Sequence, residues 1–219
     1  LCVPSSSGYL EGFYYHPRID RDLLKQHAKG LVCLSACLSG SVAQAAVHGS
    51  HEALLDEVRW HHDLFGDDYY LEVQRHAMRQ EDIERDGIVQ ESWLLHQVEQ
   101  YAADQSIVTE KLVALSREMG IPLVATNDSH YIYRNEWQAH EVLLNIQSGE
   151  PCEIWEKDAY GNNRARIPNP KRRVYSTHEC YFKSPEEMQG LFRDLPEAIS
   201  NTLRVAEKCN MSFDFSTKH

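Results

Sequence analysis

Three short apolar stretches, residues 31–35, 69–75 and 121–126, are separated along this chain by segments with helical periodicity. Strand, helix, strand, helix, strand in that order constrains the fold more than any other feature, because it implies βα units and a parallel sheet. The first stretch is followed by a turn at Gly40 and a short helix to about Val47. Ser50 then caps a helix through Phe65, in which Leu54, Leu55, Val58 and Leu64 recur at helical spacing and Gly66 marks the stop. Residues 69–75 alternate and are rich in strand formers. A long helical region runs from about Gln80 to Met119, with breaks expected near Gly87 and near Asp104. Gly120 ends it, and Pro122 falls at the start of the third strand, where a ladder tolerates it.

A helix is expected from Trp137 to Ile146. Residues 149–174 read as irregular, broken by Gly161-Asn162-Asn163 and Pro168-Asn169-Pro170. Ser184-Pro185-Glu186-Glu187 is a capping box with Pro at the first helical position, opening a helix to about Arg193. Another runs from Pro196 to about Cys209. No internal repeat or low-complexity tract interrupts this order.

The formal charge of −11 over 219 residues opposes a polyanion, so any nucleic-acid contact has to be local. No apolar run is long enough to span a bilayer, and no membrane partner is expected. Residues 1–8 show neither a basic leader nor an apolar core of a signal peptide. The first residue is Leu1 rather than Met, which reads as an excerpt of a longer chain. Six cysteines without a CxxC pair suit a reduced, cytoplasmic chain. Of the twelve histidines, His48, His51, His61, His62 and His96 read as surface or core positions.

In parallel sheets and barrels, ligands gather at the carboxyl ends of strands. The three strands end, or are followed, at Cys37, at His76, and at Asp128 and His130. Asp128 and His130 are two apart in extended chain and project to one side. A carboxylate and an imidazole there suit Zn, Mn or Fe; equally, Asp128 caps the following turn and His130 bonds locally. Cys37 alone is a small buried hydrophobe, but beside the other two it is a third ligand. Glu72, Gln74 and His76 share one strand face, with His76 either a ligand or a group that orients one; a solvated edge is equally compatible. Arg164, Arg166, Lys171, Arg172 and Arg173 form a basic loop that could touch phosphates or an acidic neighbour, or simply be a solvated face. Trp155, Tyr160 and Tyr175 lie nearby without interleaving into a stacking pattern. No P-loop, GxGxxG, GxSxG or HExxH motif occurs, and no nucleotidyl-transfer centre is expected.

Several segments, in order, resemble the amino-terminal region of the alpha subunits of bacterial DNA polymerase III, the C-family replicative polymerases. They are residues 8–20 (Gly8 to Asp20), 34–40, 70–76, 122–131, 182–188 and 201–210. Each is weak alone, but the ordered set covers nearly the whole chain. The resemblance implies a polymerase-and-histidinol-phosphatase (PHP) domain, a distorted (β/α) barrel with a metal cluster at its strand ends. Here the barrel would be partial and followed by a helical C-terminal segment. The implied division is a partial PHP domain over 1–148, an insertion over 149–174 and a helical part over 175–219. Cys37, Asp128 and His130 match positions that contribute ligands in the family, and His76 and Glu72 match a recurrent motif of it. Zn or Mn is the implied metal. The family's His-x-His pair and Thr-Asp-His-Gly motif do not occur, which removes most of the ligands and the first barrel strands. The palm and fingers, which would follow Phe215, are also missing. The resemblance implies a parent that is a Mg-dependent DNA-directed DNA polymerase, working in the cytoplasm with other holoenzyme subunits on primer-template DNA. This segment would be a supporting or metal module without polymerase activity. The alternative is a stand-alone PHP phosphoesterase in which a metal-bound hydroxide attacks phosphorus, and that reading needs a full ligand set.

Overall fold

The computed structural model describes residues 2–212. In chain order its elements are α1 (Cys2–Leu10), α2 (Arg21–His27), β1 (Cys33–Leu34), α3 (Ser41–His48), α4 (His51–Phe65), β2 (Tyr69–Val73), α5 (Gln80–Arg85), α6 (Ser92–Met119), β3 (Leu123–Ala125), α7 (Trp137–Ser148), β4 (Glu153–Lys157), β5 (Asn163–Pro168), α8 (Pro185–Leu191) and α9 (Pro196–Lys208). They form two compact units that interleave along the sequence. One takes the chain up to Val73, Glu110–Ala125 and everything from Asp194; the other takes Gln74–Thr109 and Thr126–Arg193. The last seven residues of the expected 175–219 part, Phe215 among them, lie outside the described residues.

The first unit holds the expected parallel sheet, in the order β1-β2-β3. It is small and open. Cys33 pairs with Tyr69, and Leu71 with Leu123. Every residue of β2 and β3 is buried, as a strand covered on both faces must be. Val42, Ala46, Leu54 and Val58 from α3 and α4 add apolar cover, together with Leu112 and Leu115 from the end of α6. On α9, the buried Asn201 donates its amide to the Leu123 carbonyl at 2.7 Å, beyond the sheet ladder. Ser50 caps α4 through the Ala53 amide at 3.1 Å, and Gly66 follows that helix at φ +55°. The sequence did not signal α1 or α2, although Asp20 caps α2 by accepting from the Leu23 amide at 2.8 Å.

The second unit packs around Ile83, Ile88, Leu94 and Val98, with Met78, Trp93, Leu95 and Val174 against them. Its helices correct one expectation. Gly87, at φ +75°, separates α5 from α6, but α6 runs unbroken past Asp104. There Asp104 accepts from the Gln100 amide at 2.8 Å, a neighbour one turn away, so the side chain supports the helix it was expected to interrupt. A second correction concerns residues 149–174, expected to be irregular. They carry the antiparallel hairpin β4–β5, with a register shift at Glu156/Lys157. Its turn is built by Asp158, which accepts from the Tyr160 and Asn162 amides at 2.9 Å each, with Gly161 at φ +85°. Ser184 and Glu187 form the expected capping box of α8.

Candidate metal centre

The chain leaving β2 enters the second unit at Gln74, and His76 is almost completely buried there. Its Nε2 lies 2.9 Å from the Asn127 carbonyl. A carbonyl only accepts, so Nε2 carries the proton. Nδ1 is then the acceptor, 3.1 Å from the Gln105 side-chain amide and 3.0 Å from the Tyr101 hydroxyl. The backbone is held as firmly: the His76 amide donates to Gln105 at 2.6 Å, and Thr177 donates to the His76 carbonyl at 2.7 Å. Burial drives the imidazole pKa down to about 4, with the Lys183 ammonium adding to the shift against the opposing Asn127 contact. His76 is therefore neutral, with both ring nitrogens engaged.

Asn127 continues this lattice. Its side-chain amide donates to the Tyr181 carbonyl at 2.7 Å and to the Glu179 carbonyl at 3.1 Å. The His130 amide donates to the Cys180 carbonyl at 2.8 Å, and the Phe182 amide to the Tyr131 carbonyl at 2.9 Å. Residues 127–131 are thus bracketed by residues 179–182, a segment distant in sequence. Lys183 is buried in the same region, bonded to the Glu179 carbonyl, 3.1 Å from the Glu179 carboxylate and 4.1 Å from the centre of the Tyr181 ring. Burial lowers its pKa, and Glu179 works against that. Arg134 bridges Glu179, at 2.7 Å, to the buried Asp82.

Asp128 and His130 stand at the outer side of this lattice. Asp128 is half-buried at φ +43°, in the left-handed region that Asp and Asn tolerate better than most residues. His130 is exposed; Nδ1 lies 2.6 Å from the Asp128 carbonyl and so carries the proton. Nε2 accepts from the Tyr175 hydroxyl at 2.7 Å. His140 completes an aromatic group, its ring 5.2 Å from that of His130 and 5.1 Å from that of Tyr175. Burial first, and then the nearby His130, lowers the His140 pKa. Nothing local in the sequence pointed to His140 or Tyr175, which come to His130 through tertiary structure.

Cys37 and Glu72 belong to the first unit. Cys37 is half-buried in the turn after β1. Glu72 accepts from the Ala36 amide at 3.0 Å, and its own amide donates to Ser35 at 2.8 Å. Ala36 sits at φ +67°, so this carboxylate secures a turn that its backbone alone would not favour.

The donor chemistry fits a divalent metal in part. A ligating histidine commonly donates its other N–H to a carbonyl, which is the state of His130, and the adjacent Asp128 supplies a carboxylate. The ring nitrogens of His76 instead meet a carbonyl, a glutamine amide and a tyrosine hydroxyl, and Glu72 accepts from the Ala36 backbone amide. Among the described residues, no three His, Cys, Asp or Glu side chains are grouped to hold a metal ion.

The basic loop divides. Arg172 is buried, with Nη1 and Nη2 each 2.7 Å from Glu91 and Nε 2.7 Å from Glu141. This corrects its candidacy as a nucleic-acid contact, since its donors are committed to protein carboxylates. Arg164, Arg166 and Arg173 are exposed. No described helix is long and apolar enough to cross a membrane.

A model of the PHP domain matches residues 1–76. The DNA polymerase III subunit alpha of Chlamydia pneumoniae is 52% identical over all 219 residues. Those of Borreliella burgdorferi and Treponema pallidum are 39% and 35% identical over 94% and 96% of the chain. The chain spans about 17% of the length of the first of these relatives and 15% of the other two. Residues 1–76 are thus similar to the PHP domain, and over its whole length the chain is similar to a segment of the DNA polymerase III alpha subunits.

Proposed function

We propose that this chain works as a supporting PHP module of a bacterial replicative polymerase whose other parts carry templated DNA synthesis. The observation that carries the reading is identity of 52% along all 219 residues to a DNA polymerase III alpha subunit. In this reading the small parallel sheet is part of a distorted (β/α) barrel. Residues 1–148 supply its PHP portion, 175–219 a helical continuation and 149–174 an insertion. Asp128 and His130, with Cys37, are ligands for Zn or Mn in the parent, and a bound metal would supply a Lewis acid. His76 and Glu72, the weaker candidates, serve by fixing the backbone at the strand ends. The parent uses Mg for nucleotidyl transfer and works in the cytoplasm with holoenzyme subunits on primer-template DNA. A stand-alone phosphoesterase is less well supported, because the similarity along all 219 residues runs to a polymerase subunit.

Metal analysis after dialysis against Zn or Mn tests the site. Weak, substoichiometric loading is expected, reduced at least about tenfold in affinity by Asp128→Asn. Tight binding of two or three ions would contradict an incomplete set. Primer extension tests the module: this chain should give none, and the whole subunit should give robust synthesis.

A further inference from the structure

Among the described residues, the β4–β5 hairpin buries little of its own surface. Two-stranded hairpins are at best marginally stable alone, and in this one only Ile154 and Ile167 are even half-buried. Its base, by contrast, is locked. The buried Asn169 donates from its backbone to the Cys152 carbonyl at 2.9 Å and from its side chain to the Pro151 carbonyl at 2.8 Å. Three residues on, Arg172 is held by Glu91 and Glu141. A rigid base thus carries an exposed arm.

The arm's chemistry differs from that of the chain. The hairpin itself, residues 153–168, holds three Lys and Arg against three Asp and Glu, a balance not shared by the protein as a whole, with 22 against 33. One of the three acids, Asp158, is occupied inside the turn. Another, Glu153, meets Arg166 only at 3.5 Å with both side chains more than half exposed, an ion pair of little strength. Trp155 lies opposite Arg166 in the ladder, so the two share a face, and the guanidinium lies 5.3 Å from the centre of the Trp155 ring. Glu156 pairs with Ala165 and Lys157 with Asn163, leaving Arg164 as the extra residue of a bulge, a device that re-aims side chains. Trp155 is 48% exposed, and Tyr160 at the tip is 91% exposed.

We propose that the β4–β5 hairpin is a single-stranded-DNA-binding arm, in which Arg164 and Arg166 engage phosphates and Trp155 and Tyr160 stack on bases. Cations along a backbone track beside aromatic platforms are the general requirements for binding single strands. Exposed aromatic rings favour unstacked bases over a duplex, whose bases offer them no free face. The proposal deepens the replicative reading and rests on it.

Fluorescence anisotropy of a labelled oligothymidylate, titrated with the 219-residue chain across a salt series, tests it. The expected result is weak binding that strengthens as salt falls. Arg164→Glu with Arg166→Glu should lower the association constant at least about tenfold and reduce its logarithmic salt slope by about one to two. Trp155→Ala, which leaves the charge intact, should lower it about tenfold. Arg117→Glu, a single reversal of the same kind at an exposed position of α6, should cost no more than about twofold. No binding at the lowest salt, an equal loss in Arg117→Glu, or tighter binding to a duplex of the same length each overturns the arm. Primer extension by the unaltered whole subunit separates the two readings: robust synthesis with DNA affinity indifferent to the arm variants sinks the arm alone. Absent synthesis sinks the replicative reading.

Discussion

His76 and His130 both follow strands of one parallel sheet, both lie in the second unit, and they have opposite fates. His76 is enclosed, with four side chains or carbonyls on its ring and backbone. His130 is exposed, and its one free lone pair rests on a tyrosine hydroxyl. Position at a strand end therefore does not make a ligand. What separates the two is which nitrogen is protonated and what the other one meets. His76 presents its Nδ1 lone pair to a buried glutamine amide, whereas His130 holds its Nε2 lone pair at the surface, where a cation can displace a hydroxyl.

The largest effect that would break this contrast is on stability. His76→Leu should destabilise the chain by about 3–4 kcal/mol in urea unfolding, because it strands the Asn127 carbonyl and the Gln105 amide in the interior. A cost below about 1 kcal/mol would show that the lattice is not what holds residues 127–131. Next in size is a pH effect. His76 has a folded pKa of about 4 against an ordinary value near 6.5, so the unfolded chain takes up the proton first as pH falls. Its contribution is complete above about pH 6.5 and drains away down to about pH 4, a loss of about 3 kcal/mol by urea midpoints. In His76→Leu that part of the pH dependence should vanish. The smallest effect sharpens the other side: His130→Ala should change stability by no more than about 0.5 kcal/mol while weakening any Zn or Mn binding.

Much of the scaffold was legible because burial leaves a signature. Residues 69–73 are rich in strand formers and all buried, and Ser50, Gly66, Gly87 and Ser184 each marked an end with its own chemistry. The hairpin was illegible for the reverse reason. A strand exposed on both faces has no apolar alternation, and its turn residues look like loop. Arg172 was misread because a run of charges gives no sign of which member turns inward to meet Glu91 and Glu141, dozens of residues away. At the site, Asp128 and His130 were visible as a spaced pair, but Tyr175, His140, Gln105 and Thr177 were not. Their roles depend on a segment near residue 180 returning to residues 127–131, a long-range contact with no local pattern.

The backbone at Asp128 has one more consequence. At φ +43° a side chain with a full Cβ sits in a region that disfavours most residues, and Asp, Asn and Gly are the usual occupants. The position therefore has a very small vocabulary, and its three words mean different things. Glycine satisfies the geometry alone, asparagine keeps the polar side chain without charge, and only aspartate adds an anion. Where related chains differ here, the letter chosen separates relatives that retain a bend from those that retain a charge at the end of it.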